Sequence, residues 1–245
     1  MTKSPLLCTI LGLAAFAALA APASAETTLS RPKAVVELFT SQGCSSCPPA
    51  DALLTGLAEQ DDVIALAYHV DYWDYVGWKD TFAKAAFSDR QRDYAQSWGS
   101  SRIYTPQMVV NGAKGVVGSR RAEVMAALDG SSMPLSVDIA KADHMLKITI
   151  APDRALDDAV VWMVTYLDRA DVAIDKGENA GKSMVYTQVV TDRQVLGMWE
   201  SASGATIKLP IPQVLAEPST GIAVIVQQEK DGMPGPILGA AAFEN

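Results

Sequence analysis

The chain has 245 residues, 49% hydrophobic and 20% charged, with 17 Gly and 13 Pro, a composition that excludes a disordered or fibrous protein. Its net charge of −8 at pH 7 repels a phosphate backbone overall and argues against nucleic acid as a partner. Three cysteines, Cys8, Cys44 and Cys47, are too few for a disulfide scaffold.

Residues 1–25 read as a signal peptide. Lys3 gives a positive start, residues 6–21 are almost uninterruptedly apolar, and Ala23-Ser24-Ala25 supplies the small-x-small cleavage pattern. A retained anchor is the alternative, but the run is short for a span of ~20 residues. Cleavage predicts a periplasmic or secreted protein with no membrane span, in which Cys44 and Cys47 are the only cysteines left.

From 33 to about 130, strands and helices alternate. Residues 34–39 are a short apolar strand, and 48–60 a helix with Leu53, Leu54, Leu57 and Ala58 on one face and Pro48 and Pro49 in its first turn. A strand follows at 63–70, then a helix at 80–98 with Phe82, Ala85, Ala86, Tyr94 and Trp98 near one stripe. Residues 108–117 form a hairpin around Asn111-Gly112, and Ser119 caps a helix that turns Val124, Met125 and Leu128 inward. Residues 129–134 read as a linker. Beyond it the apolar period becomes two, as in Leu146/Ile148/Ile150 and Val160/Trp162/Val164/Tyr166. Further strands at 184–191, 206–209, 222–228 and 237–242 suggest a β-sandwich. The expected organisation is a signal peptide (1–25), an α/β domain (26–132) and an all-β, sandwich-like domain (133–245).

Chemistry concentrates in Gly43-Cys44-Ser45-Ser46-Cys47-Pro48-Pro49. A disulfide across so short a loop removes little unfolded-chain entropy, so reactivity is the better reason for the spacing. A helix N-terminus offers unpaired amides and a positive dipole end, both favouring thiolate. Cys44, ahead of the helix and expected to be the more exposed, reads as the nucleophile, with Cys47 as the resolving thiol. The uncharged Ser45-Ser46 pair leaves the redox poise open.

The arrangement resembles the thioredoxin superfamily. Val35-Val36-Glu37-Leu38-Phe39 precedes the motif as a central strand does there, and Tyr104-Thr105-Pro106-Gln107 looks like the family's cis-proline segment beside the thiols. With His69-Val70-Asp71-Tyr72-Trp73-Asp74, the motif is similar to an uncharacterised family of secreted bacterial thioredoxin-like proteins. The resemblance implies an α/β thioredoxin-like N-terminal domain and thiol–disulfide exchange on protein thiols or disulfides. It also implies a cis Thr105–Pro106 peptide and a buried acid at Glu37 that relays a proton to Cys47. A solvated strand edge or a structural hydrogen bond is the alternative for Glu37.

His69 ends the second strand, where sites in open α/β sheets tend to lie, and with Asp71 is a candidate for tuning a thiolate. A packed, hydrogen-bonded histidine is the alternative. Tyr72, Trp73 and Tyr104, with Thr105, are candidate substrate-groove residues; core packing is the other reading for the aromatics. No cofactor and no metal are called for. A copper-binding protein using Cys44, Cys47 and His69, or a non-catalytic binding module with a fixed disulfide, stand as alternative functions.

Overall fold

The computed structural model describes residues 27–244, so the signal-peptide reading of 1–25 falls outside the described residues. The order is β1 (Thr27–Ser30), β2 (Ala34–Thr40), α1 (Pro48–Ala58), β3 (Val63–His69), a 3-10 turn (Asp74–Val76), α2 (Ala85–Ser97), β4 (Gln107–Val110), β5 (Lys114–Val117) and α3 (Arg121–Asp129). The second half runs β6 (Val137–Ala142), β7 (Met145–Ile150), β8 (Ala159–Ile174), β9 (Lys182–Trp199), β10 (Ala205–Pro210), α4 (Ile211–Val214), β11 (Gly221–Lys230) and β12 (Met233–Glu244).

β2 and β3 are buried at every position, which demands cover on both faces. They pair in parallel, with Thr40 beside His69 at their C-terminal ends. Alternation sorts their side chains. Val36, Leu38, Ala65 and Ala67 pack with Leu54 and Leu57 of α1, whereas Val35, Phe39, Leu66 and Tyr68 pack with Phe87 and Tyr94 of α2. Thr40 and His69 therefore share the α1 face, and Glu37 shares the α2 face.

The expected α/β thioredoxin-like domain followed by a β domain is overturned. One nine-stranded mixed sheet, ordered β1-β12-β11-β8-β9-β3-β2-β4-β5, takes strands from both sides of residue 132. Strand β9 joins β3 in parallel at Ala67↔Val189, and the strands outside it are antiparallel. The physical cause lies in β3: an edge apolar on both faces cannot be left bare, and β9 covers it. The smaller sheet, β10-β7-β6, packs over the large one through Ile139, Ile148, Trp199 and Val224.

Other expectations shift with tertiary context. The helix expected over 80–98 starts at Ala85, because the Asp80 carboxylate accepts backbone N–H groups from Gln42 and Phe82 and holds 80–84 irregular. Ala85 and Ala86 are exposed, while Arg90 and Gln91 join Tyr94 in the buried stripe. Arg120 rather than Ser119 occupies the N-cap of α3. Strands β1 and β6 lie outside the strands that the sequence pattern marks, and β8 and β9 run 16 and 18 residues, longer than that pattern implies.

Candidate functional site

The turn after β2 and the start of α1 bring Cys44 and Cys47 together as a disulfide. Cys47 is the N-cap of α1, and its carbonyl accepts the N–H groups of Ala50 (2.8 Å) and Asp51 (3.1 Å). The first two helical residues are Pro48 and Pro49, which have no N–H to offer. The unpaired amides expected at this helix start are thus missing, and much of the partial charge that would favour thiolate goes with them.

Cys44 is not the exposed thiol that its place in the chain suggested. Both cysteines have 0% relative exposure, while Ser45 and Ser46 between them are exposed. Three segments enclose the pair. Ser46 Oγ lies 3.4 Å from Cys44 Sγ and donates at 3.4 Å to the Thr105 carbonyl. Gly43 packs against Trp73 and Val76 so closely that an added Cβ would meet both at 3.2 Å. The third is the turn between β8 and β9: Asn179 Nδ2 donates to the carbonyls of Gln42 (2.9 Å) and Cys44 (3.0 Å).

Several residues singled out in the sequence do gather here. The Thr105–Pro106 peptide is cis, and Pro106 is buried beside the Thr105 carbonyl that meets Ser46. Trp73 Nε1 donates to Thr105 Oγ1 at 2.7 Å, and its ring stacks on Tyr75, which is 82% exposed. Gln91 ties the flank together: its Nε2 donates to the Tyr104 carbonyl, and its Oε1 accepts from Tyr72 Oη. Burial, against the Gln91 hydrogen bond, pushes the Tyr72 phenol up to about 12. Tyr104 itself remains 38% exposed.

Glu37 is not brought to the disulfide. Its carboxylate faces α2, where it accepts from Arg90 Nε at 2.8 Å and from Tyr94 Oη. Arg90 and Tyr94 are in turn bonded to Gln227 of β11. The strand's alternation puts this cluster on the face opposite α1, so the proton-relay role expected for Glu37 gives way to a structural ion pair. Asp71 is likewise occupied elsewhere, accepting from Ser88 Oγ at the start of α2.

The acid that does lie next to Cys47 is Asp51. It follows one helical turn later, with its Cβ about 5–6 Å from that of Cys47 by helical geometry. It is 6% exposed; Oδ1 accepts from Thr40 Oγ1 at 2.7 Å, and Oδ2 has no hydrogen-bond partner among the described residues. Burial, only partly offset by Thr40 and by His69, lifts its carboxyl to about 7. A clue was present in the sequence: Asp51 interrupts the apolar stripe of Ala50, Leu54 and Leu57.

His69, fully buried on the same face, is held by Asp80 through Nδ1 at 2.8 Å, and its ring lies edge-on to Phe82 and Tyr186. Its Nε2 is also without a partner among the described residues. Burial pushes the Asp80 carboxyl up, but His69 and the amides of Gln42 and Phe82 more than reverse this and leave it below the ordinary value. With the cysteines paired as a disulfide, the copper set of Cys44, Cys47 and His69 is not assembled. No group of three metal-ligating side chains occurs among the described residues. A cavity of about 310 Å³ opens elsewhere, between the C-terminal end of α1 and β12, and shares no lining residue with the disulfide loop. No helix among the described residues is long and apolar enough to cross a membrane.

Comparison with known proteins agrees with this topology. A crystal structure of protein AGR_C_4864 from Agrobacterium tumefaciens is similar, with TM-score 0.78 and 35% identity over 87% of this chain and 95% of that one. HBP35 of Porphyromonas gingivalis shares the fold at TM-score 0.56 and 13% identity, over 87% of this chain and 75% of that one. No curated protein matches. A family model described as "Protein of unknown function (DUF1223)" matches residues 35–227, from the first buried strand to the glutamine that braces Glu37's cluster, and the chain belongs to that family.

Proposed function

We propose that the protein is an exported, periplasmic or secreted thiol–disulfide oxidoreductase that acts on protein thiols or disulfides through Cys44 and Cys47. The observation that carries the reading is the disulfide itself. It joins the only two cysteines beyond residue 8 across a sequence separation of three, at a strand-to-helix turn. A loop that short contributes only about 2 kcal/mol of chain-entropy stabilisation, so stability alone is a weak reason for it. The local likeness to the thioredoxin superfamily, in the Cys-x-x-Cys turn and the Thr105-Pro106 segment at its side, supports the same reading.

In the oxidised form, a client dithiol is the co-reactant. Its thiolate attacks Cys44 Sγ, the Cys44–Cys47 bond breaks, and Cys47 leaves with the electron pair. Asp51, adjacent on the helix, gives Cys47 its proton. The client's second thiolate then attacks its own sulfur in the mixed disulfide and expels Cys44 as thiolate. The client ends as a disulfide and the protein as a dithiol, so two electrons have moved. Trp73, Tyr72, Tyr104 and Thr105 form the flank along which an extended client would lie, and Pro106 closes the site beside it. His69 tunes the Asp51 side.

Cys47→Ser tests the reading directly. Attack on a client disulfide by Cys44 then stops at the mixed species, because the resolving thiol is gone. Affinity capture from an exporting cell should yield adducts released by reductant. Capture that brings down no reducible adduct would overturn the function.

A further inference from the structure

Strands β8 and β9 outlast the sheet that contains them. Strand β11 pairs with β8 only as far as Tyr166, and β3 touches β9 only at Val189, yet β8 and β9 stay paired from Arg169/Thr187 out to Ile174/Lys182. Residues 167–187 are therefore a two-stranded ribbon, an arrangement of marginal stability in water without something to lie on. It lies on α1, through the Thr55–Thr187 hydroxyl contact at 2.9 Å, and on the His69 ring through Tyr186. Its tip lands on the disulfide loop.

The tip is built for that landing. Asn179 is 1% exposed although its neighbours Glu178 and Ala180 are exposed. Its amide hydrogens satisfy the Gln42 and Cys44 carbonyls, and its Oδ1 is held by Lys182 Nζ at 2.7 Å. Glu178 accepts from the backbone N–H of Ser45 at 3.4 Å. Gly177 and Gly181 flank the contact at φ of +78° and +79°, conformations that side chains resist, and Gly177 lies against Trp78. All of this comes from a segment about 135 residues further along the chain.

We propose that the β8–β9 tip is a clasp that holds the Cys44–Cys47 disulfide out of solvent, and that its lifting admits the client thiol. This rests on the oxidoreductase reading and adds its regulation. A thiolate cannot reach a sulfur with no exposed surface, so one of the enclosing segments has to move. The clasp is the segment joined to the loop mainly by side-chain hydrogen bonds, at the end of a ribbon that has left the sheet. Client chemistry that competes for the Gln42 and Cys44 carbonyls, such as the backbone N–H groups of an extended peptide, would replace what Asn179 gives up.

Reduction kinetics of the intact protein with dithiothreitol test the clasp. The rate should level off at high reductant, limited by lifting of the tip. Asn179→Ala, which removes both hydrogen bonds to the loop along with the one from Lys182, should raise the plateau by about tenfold or more. Lys182→Gln, which frees Asn179 without touching the loop, should raise it less and serves if the alanine variant fails to fold. A wild-type rate that stays proportional to reductant, with both variants matching it, would overturn the clasp and leave the redox function standing. A disulfide that no reductant opens below the unfolding transition, in wild type and variants alike, would overturn both.

Discussion

At Asp51, burial sets a proton balance opposite to that of a surface carboxylate. The group titrates near 3.8 when unfolded and at about 7 when folded, so between those values the folded state holds the proton more tightly. Its contribution to stability is full below pH 3.8 and is lost as pH rises to 7, with a ceiling of about 4 kcal/mol. Asp51→Asn keeps the shape and removes the ionisation. The variant should therefore melt higher than wild type at pH 8, with the gap closing towards pH 4, and thermal scans across that range would show it. Parallel curves would mean that Asp51 does not titrate in this window. Reductive opening should change as well. At low reductant, before lifting of the tip becomes limiting, and corrected for the fraction of reductant present as thiolate, the wild-type rate should fall as pH passes 7, whereas the Asp51→Asn rate should be flat. Loss of a general acid is expected to slow the step on the order of 100-fold.

The elements around the disulfide divide into support and flank. Helix α1 supports: its apolar stripe seats it on β2 and β3, and its two leading prolines fix the turn while leaving the cysteines without amide donors. The flank is the aromatic loop 72–78 with the 104–106 segment, joined through Trp73 Nε1 to Thr105 Oγ1. Trp73→Phe keeps most of the ring and removes the donor. It should cost about 0.5–1.5 kcal/mol of stability. If the flank binds client, the variant should also raise KM for a cysteine-containing peptide while kcat changes by less than about twofold. An unchanged KM would assign Trp73 to packing. The aromatic run was legible from sequence, but its split between an exposed Tyr75 and a half-buried Trp73 depends on a non-helical path that residue types do not reveal.

Across the whole molecule, one sheet and one polar cluster run through both halves of the chain. Strand β9 covers the β3 edge, and Gln227 completes the hydrogen bonds of the buried Arg90–Glu37 pair. A fragment of residues 27–132 would expose the edge of β3 and leave that pair short of a partner. It should show no cooperative unfolding transition, while the 27–245 chain should show one. A well-folded fragment with sharp amide dispersion in an NMR spectrum would contradict the single-sheet account. The same continuity explains how a turn near residue 179 can act on a disulfide near residue 44.

The sequence by itself determined the local features. Apolar runs placed β2, β3 and α1, turn chemistry placed the β4–β5 hairpin, and cysteine spacing singled out the pair that bonds. These follow from forces acting over a few residues, namely periodicity, proline and glycine geometry, and the short reach of Cys-x-x-Cys. Only the tertiary structure decided which partner each group found. Glu37 and Asp51 are both acids in apolar settings; strand alternation sends the first to Arg90, and helical phase sends the second to Thr40 on the opposite face. Strand pairing between residues more than a hundred apart joined the halves and brought the β8–β9 turn onto the disulfide loop, because an exposed β edge and an unpaired polar group are satisfied by whatever the fold brings near, however distant in the chain.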